Sequence, residues 1–462
     1  MMRRGFSFLR EAIGGTKRDF TEGSISRAIA LLAIPMVLEM SMESLFGVVD
    51  AYNVSHIGTD AVATVVLTES VLILLFGVAL GLSISTTAMV ARRIGEKDPV
   101  AAARTAGQAI LVGVAVSSVT AAIGVPSAAG ILRLMGASDS IVSSGSAYTA
   151  TLLGSSVTIF LLFLLNAVFR GAGDATMALR SLIVANGINI VLNPCLIMGL
   201  GPFPKLGLVG SAVATLIGRG TGVGFQLYVL FSGHGRLHLR WEHLRVDPAL
   251  MWRLVRISLN GILQVQIGMA SWLGMVRLMS TFGSAALAGY GLAMRTIIVA
   301  ILPAWGMANA AATLVGQNLG AKKPERAEQS VWLAGFYNMC FLGAVALVFI
   351  LCAEWVIGLY RPDPAIIPFG AACLRFVSYG YVLYAWGMVM MQAFNGAGDT
   401  WTPTRINFFC YWCWQIPLAW LLAIRMQWGP SGIYTALTVA QCTLAVTALV
   451  LFRRGKWKLQ QV

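Results

Sequence analysis

A few ionisable side chains stand inside long apolar stretches, and their chemistry is the first thing to ask about. Asp50 lies in Val48-Val49-Asp50-Ala51-Tyr52, and Glu39 and Glu43 precede it on one stripe of helical spacing. Glu69 and Arg295 occupy other apolar stretches. A charge in an apolar span is costly and marks a functional site by default. A carboxylate there can attract a hard cation, or take up and release a proton, because an apolar setting favours the protonated form. Asn189 and Asn193 share a helix face at i, i+4, and Thr215 lies in the following apolar stretch. Glu39, Glu43, Tyr52, Asn166 and Arg295 are candidates to line a substrate cleft. The two glutamates would attract cations there, face a wet cavity, or pair with an arginine. A charge pair between Glu69 and Arg295 is the other open possibility.

The stretches that must position these residues are helices in a bilayer. Hydrophobic residues make up 57% of the 462 residues and charged ones 11%, where a soluble surface needs about a quarter. The chain is therefore an all-α polytopic membrane protein. A spanning helix takes about 20 apolar residues. Twelve such runs are expected, at 27–54, 61–91, 100–125, 141–169, 176–199, 207–232, 251–280, 286–316, 326–353, 366–394, 401–424 and 431–453. The net charge of +14 does not point to nucleic acid, because the basic residues are spread between the spans as the positive-inside bias requires. One set of loops holds Arg92, Arg93, Lys97, Arg170, Arg236, Arg240, Arg245, Lys322, Lys323, Arg326, Arg453 and Arg454, and the other holds little beyond Arg133, Lys205, Arg361 and Arg425. The first set and both termini are expected in the cytoplasm, at the plasma (inner) membrane. The segment Met1–Gly23 has no apolar core of a signal peptide. It is expected as a cytoplasmic segment that can lie on the membrane as an amphipathic helix.

The chain repeats itself. Phe169-Arg170-Gly171-Ala172-Gly173-Asp174 returns 225 residues later as Phe394-Asn395-Gly396-Ala397-Gly398-Asp399. Gly58 and Gly283, Gly95 and Gly320, Lys97 and Lys322, Pro99 and Pro324 keep that offset, and it falls to 222 for Gly207 and Gly429, a difference assigned to one loop. The expected division is a segment 1–24, a lobe 25–235, a linker 236–247, a second lobe 248–455 and a tail 456–462. Six helices per half make the two lobes a parallel repeat around a central cleft that opens to either side by rocking. Asp50 has Met275 as its counterpart, so the acid exists in one lobe only.

The doubled Gly-Ala-Gly-Asp, the run Gly316-Gln317-Asn318-Leu319-Gly320-Ala321-Lys322-Lys323-Pro324-Glu325-Arg326-Ala327, and Asn189-Ile190-Val191-Leu192-Asn193-Pro194 together resemble the multidrug and toxic compound extrusion (MATE) transporters, over essentially the whole chain and in the manner of the DinF-like branch. The resemblance implies export of small organic, cationic and amphipathic compounds in exchange for H⁺ or Na⁺, with no cofactor. It places a cation-responsive cluster at Asp50, Asn189, Asn193 and Thr215. Helix geometry agrees on depth. Asp50 and Asn193 each lie six residues from a helix end, or about 9 Å, and Thr215 eight residues in, or about 12 Å. In the family the Asn193 position is usually Asp. One formal charge instead of two weakens Na⁺ binding more than proton exchange, so a proton is the preferred coupling ion and Na⁺ at Asp50, Asn189 and Asn193 the alternative. The NorM-like branch usually adds a carboxylate where Gly268 stands here. The family often carries an Arg at the Arg295 position. A solvated Asp50 with Asn189 and Asn193 merely bridging helices is the structural alternative.

Other functions fit less well. A lipid-linked oligosaccharide flippase shares the topology but wants many basic residues in the spans, and Arg219 and Arg295 are nearly alone. An ATP-driven pump would carry a P-loop, and none occurs. A membrane enzyme would cluster its polar groups, whereas His56, His234, His238 and His243 all fall in loops. Cys410 and Cys413 form a C-x-x-C inside an apolar run, without the polar context of a metal or redox site. The expected partners are the lipid bilayer and small-molecule substrates, with no nucleic acid and a monomeric chain. Trp412, Trp414, Trp420 and Trp428 are expected on the helix surface and interface. Pro35 is expected to bend the first helix.

Overall fold

A computed structural model describes residues 11–15 and 18–460, and gives no side-chain description for residues 44–49, 51 and 55. Arg3, Arg4, Arg10 and Lys17 of the basic N-terminal segment lie outside the described residues. The spanning helices are α1 Ile25–Ser55, α2 Thr59–Gly95, α3 Pro99–Leu134, α4 Asp139–Gly171, α5 Ala175–Met198 and α6 Leu208–Ser232, followed by α7 Pro248–Met279, α8 Ser284–Gly320, α9 Pro324–Gly358, α10, α11 Trp401–Arg425 and α12 Pro430–Arg453. No strand occurs among the described residues. Among the described residues eleven of these spans are long and apolar enough to cross a bilayer, by length and composition. The twelfth, α10, is two shorter helices, Ile367–Ser378 and Tyr381–Ala397, broken at Tyr379 and Gly380. Its partner α4 is broken at Ser155, 225 residues before Gly380.

The duplication is written in the backbone. Left-handed residues fall at Gly58 and Gly283, Lys97 and Lys322, Gly136 and Arg361, and Gly173 and Gly398, each pair 225 apart. They recur at Gly207 and Gly429 and at Gly233 and Gly455, each 222 apart. Lys97 and Lys322 adopt φ 61° and 58° although they are not glycine, a cost a chain accepts only where the turn is overdetermined. Both precede a helix opened by proline at its first turn, Pro99 and Pro324.

The lost three residues are not a simple loop deletion. The connection after α5 runs Gly199–Gly207, while that after α11 is only Met426–Gly429. Part of the difference is returned by a longer α11, which contains π-helical turns over Phe408–Gln415 and Leu421–Arg425. Trp412, Trp414, Trp420 and Trp428 stand exposed on or just beyond it, as the sequence suggests. On the same helix Cys410 is buried and Cys413 exposed, so the two thiols do not share a site.

The two lobes press together on the face that carries the linker. Gly95 lies so close to α8 that a Cβ would fall 2.0 Å from the Gln317 carbonyl, and at Gly320 one would fall 2.2 Å from the Arg92 carbonyl. Thr313 Oγ1 donates to the Arg170 carbonyl (3.1 Å) and Gln317 Nε2 to the Gly171 carbonyl (2.9 Å). Deeper in, the Ser85 and Ser258 hydroxyls meet, and Gln266 Nε2 donates to the Leu74 carbonyl at 2.9 Å. The first part of α1 leans on the other lobe, with Met36 and Val37 backbone against Gly306. Small residues permit each approach, as helix association in lipid requires. The linker itself is bolted to α3 by Gln108, whose Nε2 donates to the Arg245 carbonyl (2.9 Å) and whose Oε1 accepts from Asp247 N (3.0 Å).

Candidate functional site

Asp50 receives two hydrogen bonds on one oxygen. Asn193 Nδ2 donates to Oδ1 at 2.8 Å and the Ser211 hydroxyl donates to the same atom at 2.5 Å. The positions follow from helix register. Asn189 and Asn193 are one turn apart on α5, and Ser211 and Thr215 one turn apart on α6, so a polar face of each helix turns toward α1. Asn189 Nδ2 reaches Thr215 Oγ1 at 3.4 Å, and Asn186 Nδ2 donates to the Met42 carbonyl of α1 at 2.7 Å. Asp50 is partly exposed, while Asn189, Asn193, Ser211 and Thr215 are buried.

Of the four residues placed at one depth by the sequence, Asp50 and Asn193 are in contact, and Asn189 and Thr215 pair beside them. Ser211 was not anticipated. Among the many small hydroxyl residues of an apolar helix it carries no signal except its place one turn before Thr215.

The buried oxygens Asn189 Oδ1 and Asn193 Oδ1 accept no hydrogen bond. Unsatisfied buried oxygens beside a carboxylate suit a hard cation. Among the described residues no group of three or more His, Cys, Asp or Glu could hold a metal ion. The groups gathered here are one carboxylate and neutral oxygens.

The cleft candidates separate. Glu39 is fully buried and pairs with Arg170 Nη1 at 2.7 Å, and Glu43 stands 3.9 Å from Arg219. Of the open alternatives for the two glutamates, the structure shows arginine pairing, and Glu39 does not line an open cleft here because its counterion comes from the end of α4. Asn166 is also buried, its Oδ1 accepting from Gln226 Nε2, and so does not face a cleft. Tyr52 is 66% exposed with its ring edge against His56. Arg295 and Glu69 are both exposed. No ion pair joins Glu69 to Arg295 among the described residues. At Gly268 the nearest atom to a built Cβ is a Tyr411 ring carbon at 3.9 Å.

Two helical lobes closed on each other at one face, with Asp50 hydrogen-bonded to two helices inside one of them, are the frame of a membrane transporter. The chain belongs to the MatE family, whose family model matches residues 35–195 and 257–421. It is 24% identical to the probable multidrug resistance protein YoeA of Bacillus subtilis over 95% of this chain and 96% of that protein. Against the probable multidrug resistance protein NorM of Thermotoga maritima it is 24% identical over 95% and 94% of the two chains. A crystal structure of a MATE protein in the bent conformation superposes with TM-score 0.87 at 25% identity, covering 96% of this chain and 97% of that one. An outward-facing multidrug resistance MATE family transporter superposes with TM-score 0.89 at 24% identity, covering 98% and 99%.

Proposed function

We propose that this protein is a secondary active exporter of small organic, cationic and amphipathic compounds, driven by cation entry at Asp50. The observation that carries the reading is asymmetry. Asp50 holds two hydrogen bonds from α5 and α6, whereas its counterpart Met275 is a fully buried apolar side chain. A group needed only to build a lobe would be expected in both. The proton is the preferred coupling ion and Na⁺ the alternative, with Asn189, Asn193, Ser211 and Thr215 supplying the oxygens around either. The assignment to the DinF-like branch rests on the absence of an acid at Gly268.

In this scheme residues 25–235 and 248–455 move as lobes about the linker 236–247, with 1–24 and 456–462 as cytoplasmic ends at the plasma (inner) membrane. The linker face is then cytoplasmic, and its tight closure makes this an outward-facing arrangement. Cation uptake at Asp50 from outside changes the packing of α1 against α5 and α6 and favours substrate release outward. A coupling free energy of about 1–3 kcal/mol suffices. The pairing of Arg170 and Arg219 with glutamates leaves few free cations for a lipid pyrophosphate, which favours drug export over a flippase. The similarity to proteins named for multidrug resistance supports the same choice.

The test is transport in sealed vesicles with a pH gradient and a Na⁺ gradient imposed separately. Export driven by the pH gradient and lost in Asp50→Asn is expected. An Asp50→Asn protein that still accumulates substrate against a gradient overturns the site, and accumulation driven by Na⁺ alone overturns the proton preference.

A further inference from the structure

The described part of the chain before α1, residues 11–15 and 18–23, runs across the linker face beneath both lobes. On the side of the first lobe, Thr176 Oγ1 donates to the Ala12 carbonyl (3.3 Å) and Arg180 Nη2 to the Gly14 carbonyl (2.8 Å). Arg236 donates to the Arg18 carbonyl and covers the Phe20 ring at 4.7 Å. On the side of the second lobe, Lys323 Nζ donates to the Thr21 carbonyl (3.0 Å), and Arg326 donates to the carbonyls of Phe20 (3.3 Å), Glu22 (3.0 Å) and Gly23 (2.9 Å).

Phe20 is the anchor. Only 3% of it is exposed, and it is seated at Gly173 of the first Gly-Ala-Gly-Asp turn. A Cβ at Gly173 would fall 2.9 Å from the Phe20 ring, 2.7 Å from Arg236 and 3.0 Å from Gln317. The duplicated turn is therefore a receptor as well as a corner, and its left-handed glycine (φ 79°) leaves the space the ring fills. Asp19 lies between cations of both lobes. Partial burial opposes its charge, but the Thr21 hydrogen bonds and the charges of Lys97 and Lys323 hold its carboxyl below the ordinary value.

We infer that the segment, through residues 11–15 and 18–23, is a strap that latches the two lobes together on this face, so that it must let go of one lobe before the face can open. The lobes cannot part while Phe20 is seated on the first and the carbonyls of residues 20–23 are held by Lys323 and Arg326 on the second. The segment thus sets the balance between the two access states, and loosening it favours the arrangement open at the linker face. The inference rests on the two-lobe rocking proposed above.

The test uses the full chain with spin labels introduced as unnatural amino acids, which leaves the seven native cysteines in place. Labels at Val100 and Glu325 report opening of the linker face, and labels at Thr59 and Ser284 report the opposite face. All four positions are exposed and each pair is related by the repeat. Phe20→Ala, and separately Arg326→Ala, should raise the long-distance population at Val100 and Glu325 by roughly tenfold, the scale of removing one buried aromatic or arginine anchor, and should shorten the opposite pair. Unchanged distance distributions in variants that still export overturn the strap and leave the transporter reading intact. A wild-type chain that shows one distance only, under both imposed gradients, overturns both.

Discussion

The buried pair Glu39 and Arg170 permits a sharp test of how this lobe is held together. The two groups meet at 2.7 Å, both are nearly sealed from solvent, and Glu39 Oε2 has no other partner. At an effective dielectric near 20, opposite charges about 4 Å apart attract by about 4 kcal/mol. Removing one partner strands the other charge, at a cost of about 3–5 kcal/mol. Glu39→Gln and Arg170→Asn should each destabilise the purified protein by that amount. The repeat supplies the control, because the corresponding positions of the second lobe hold Gln264 and Asn395. The double variant Glu39→Gln/Arg170→Asn copies that uncharged combination and should recover at least half of either single loss. Thermal unfolding in detergent of the four proteins closes a double-mutant cycle. Single variants within about 1 kcal/mol of wild type, or a double variant as unstable as the two losses summed, would refute the reasoning.

Ser211→Ala removes one of the two donors to Asp50 and should shift the pH dependence of export, while Ser211→Thr retains it; identical pH profiles for all three proteins would count against Ser211. Pro35 is buried within α1 and denies the Leu31 carbonyl its helical donor; Pro35→Ala should restore that bond and slow export, and unchanged transport rates would dismiss a role for Pro35. His243 is held below the usual histidine range, first by burial and then by Arg104 and its other basic neighbours, with Glu242 opposing. The folded chain therefore prefers it neutral, so stability should be level above about pH 6.5 and fall as pH drops through the unfolded value. Melting curves from pH 8 to pH 5 check this, and a His243→Gln protein with the same decline would contradict it.

Twelve spans and their duplication were legible because lipid imposes length and apolarity on every crossing helix, and because an offset survives where identities do not. Even the left-handed Lys97 and Lys322 could be paired before their conformation was known. The break in α10 could not, since Tyr379 and Gly380 sit in a continuous apolar run. Asp50, Asn189 and Asn193 were legible as polar residues at one depth. Glu39 and Glu43 stayed ambiguous because their arginines lie 131 and 176 residues away in sequence, where no helical spacing connects them. The N-terminal crossing was illegible for a different reason: Lys323 and Arg326 grip main-chain carbonyls, which every sequence possesses.

The closed face is built in two layers with different physics. Between Gly95 and Gln317, and between Gly320 and Arg92, backbone touches backbone, a contact indifferent to dissolved salt. Around it run arginine and lysine contacts to the N-terminal segment, several of them partly exposed, which mobile ions weaken over a Debye length of about 8 Å at cellular ionic strength. Added salt at this face would thus loosen the outer layer and leave the inner one unchanged, making the readiness of this face to part a function of the salt around it.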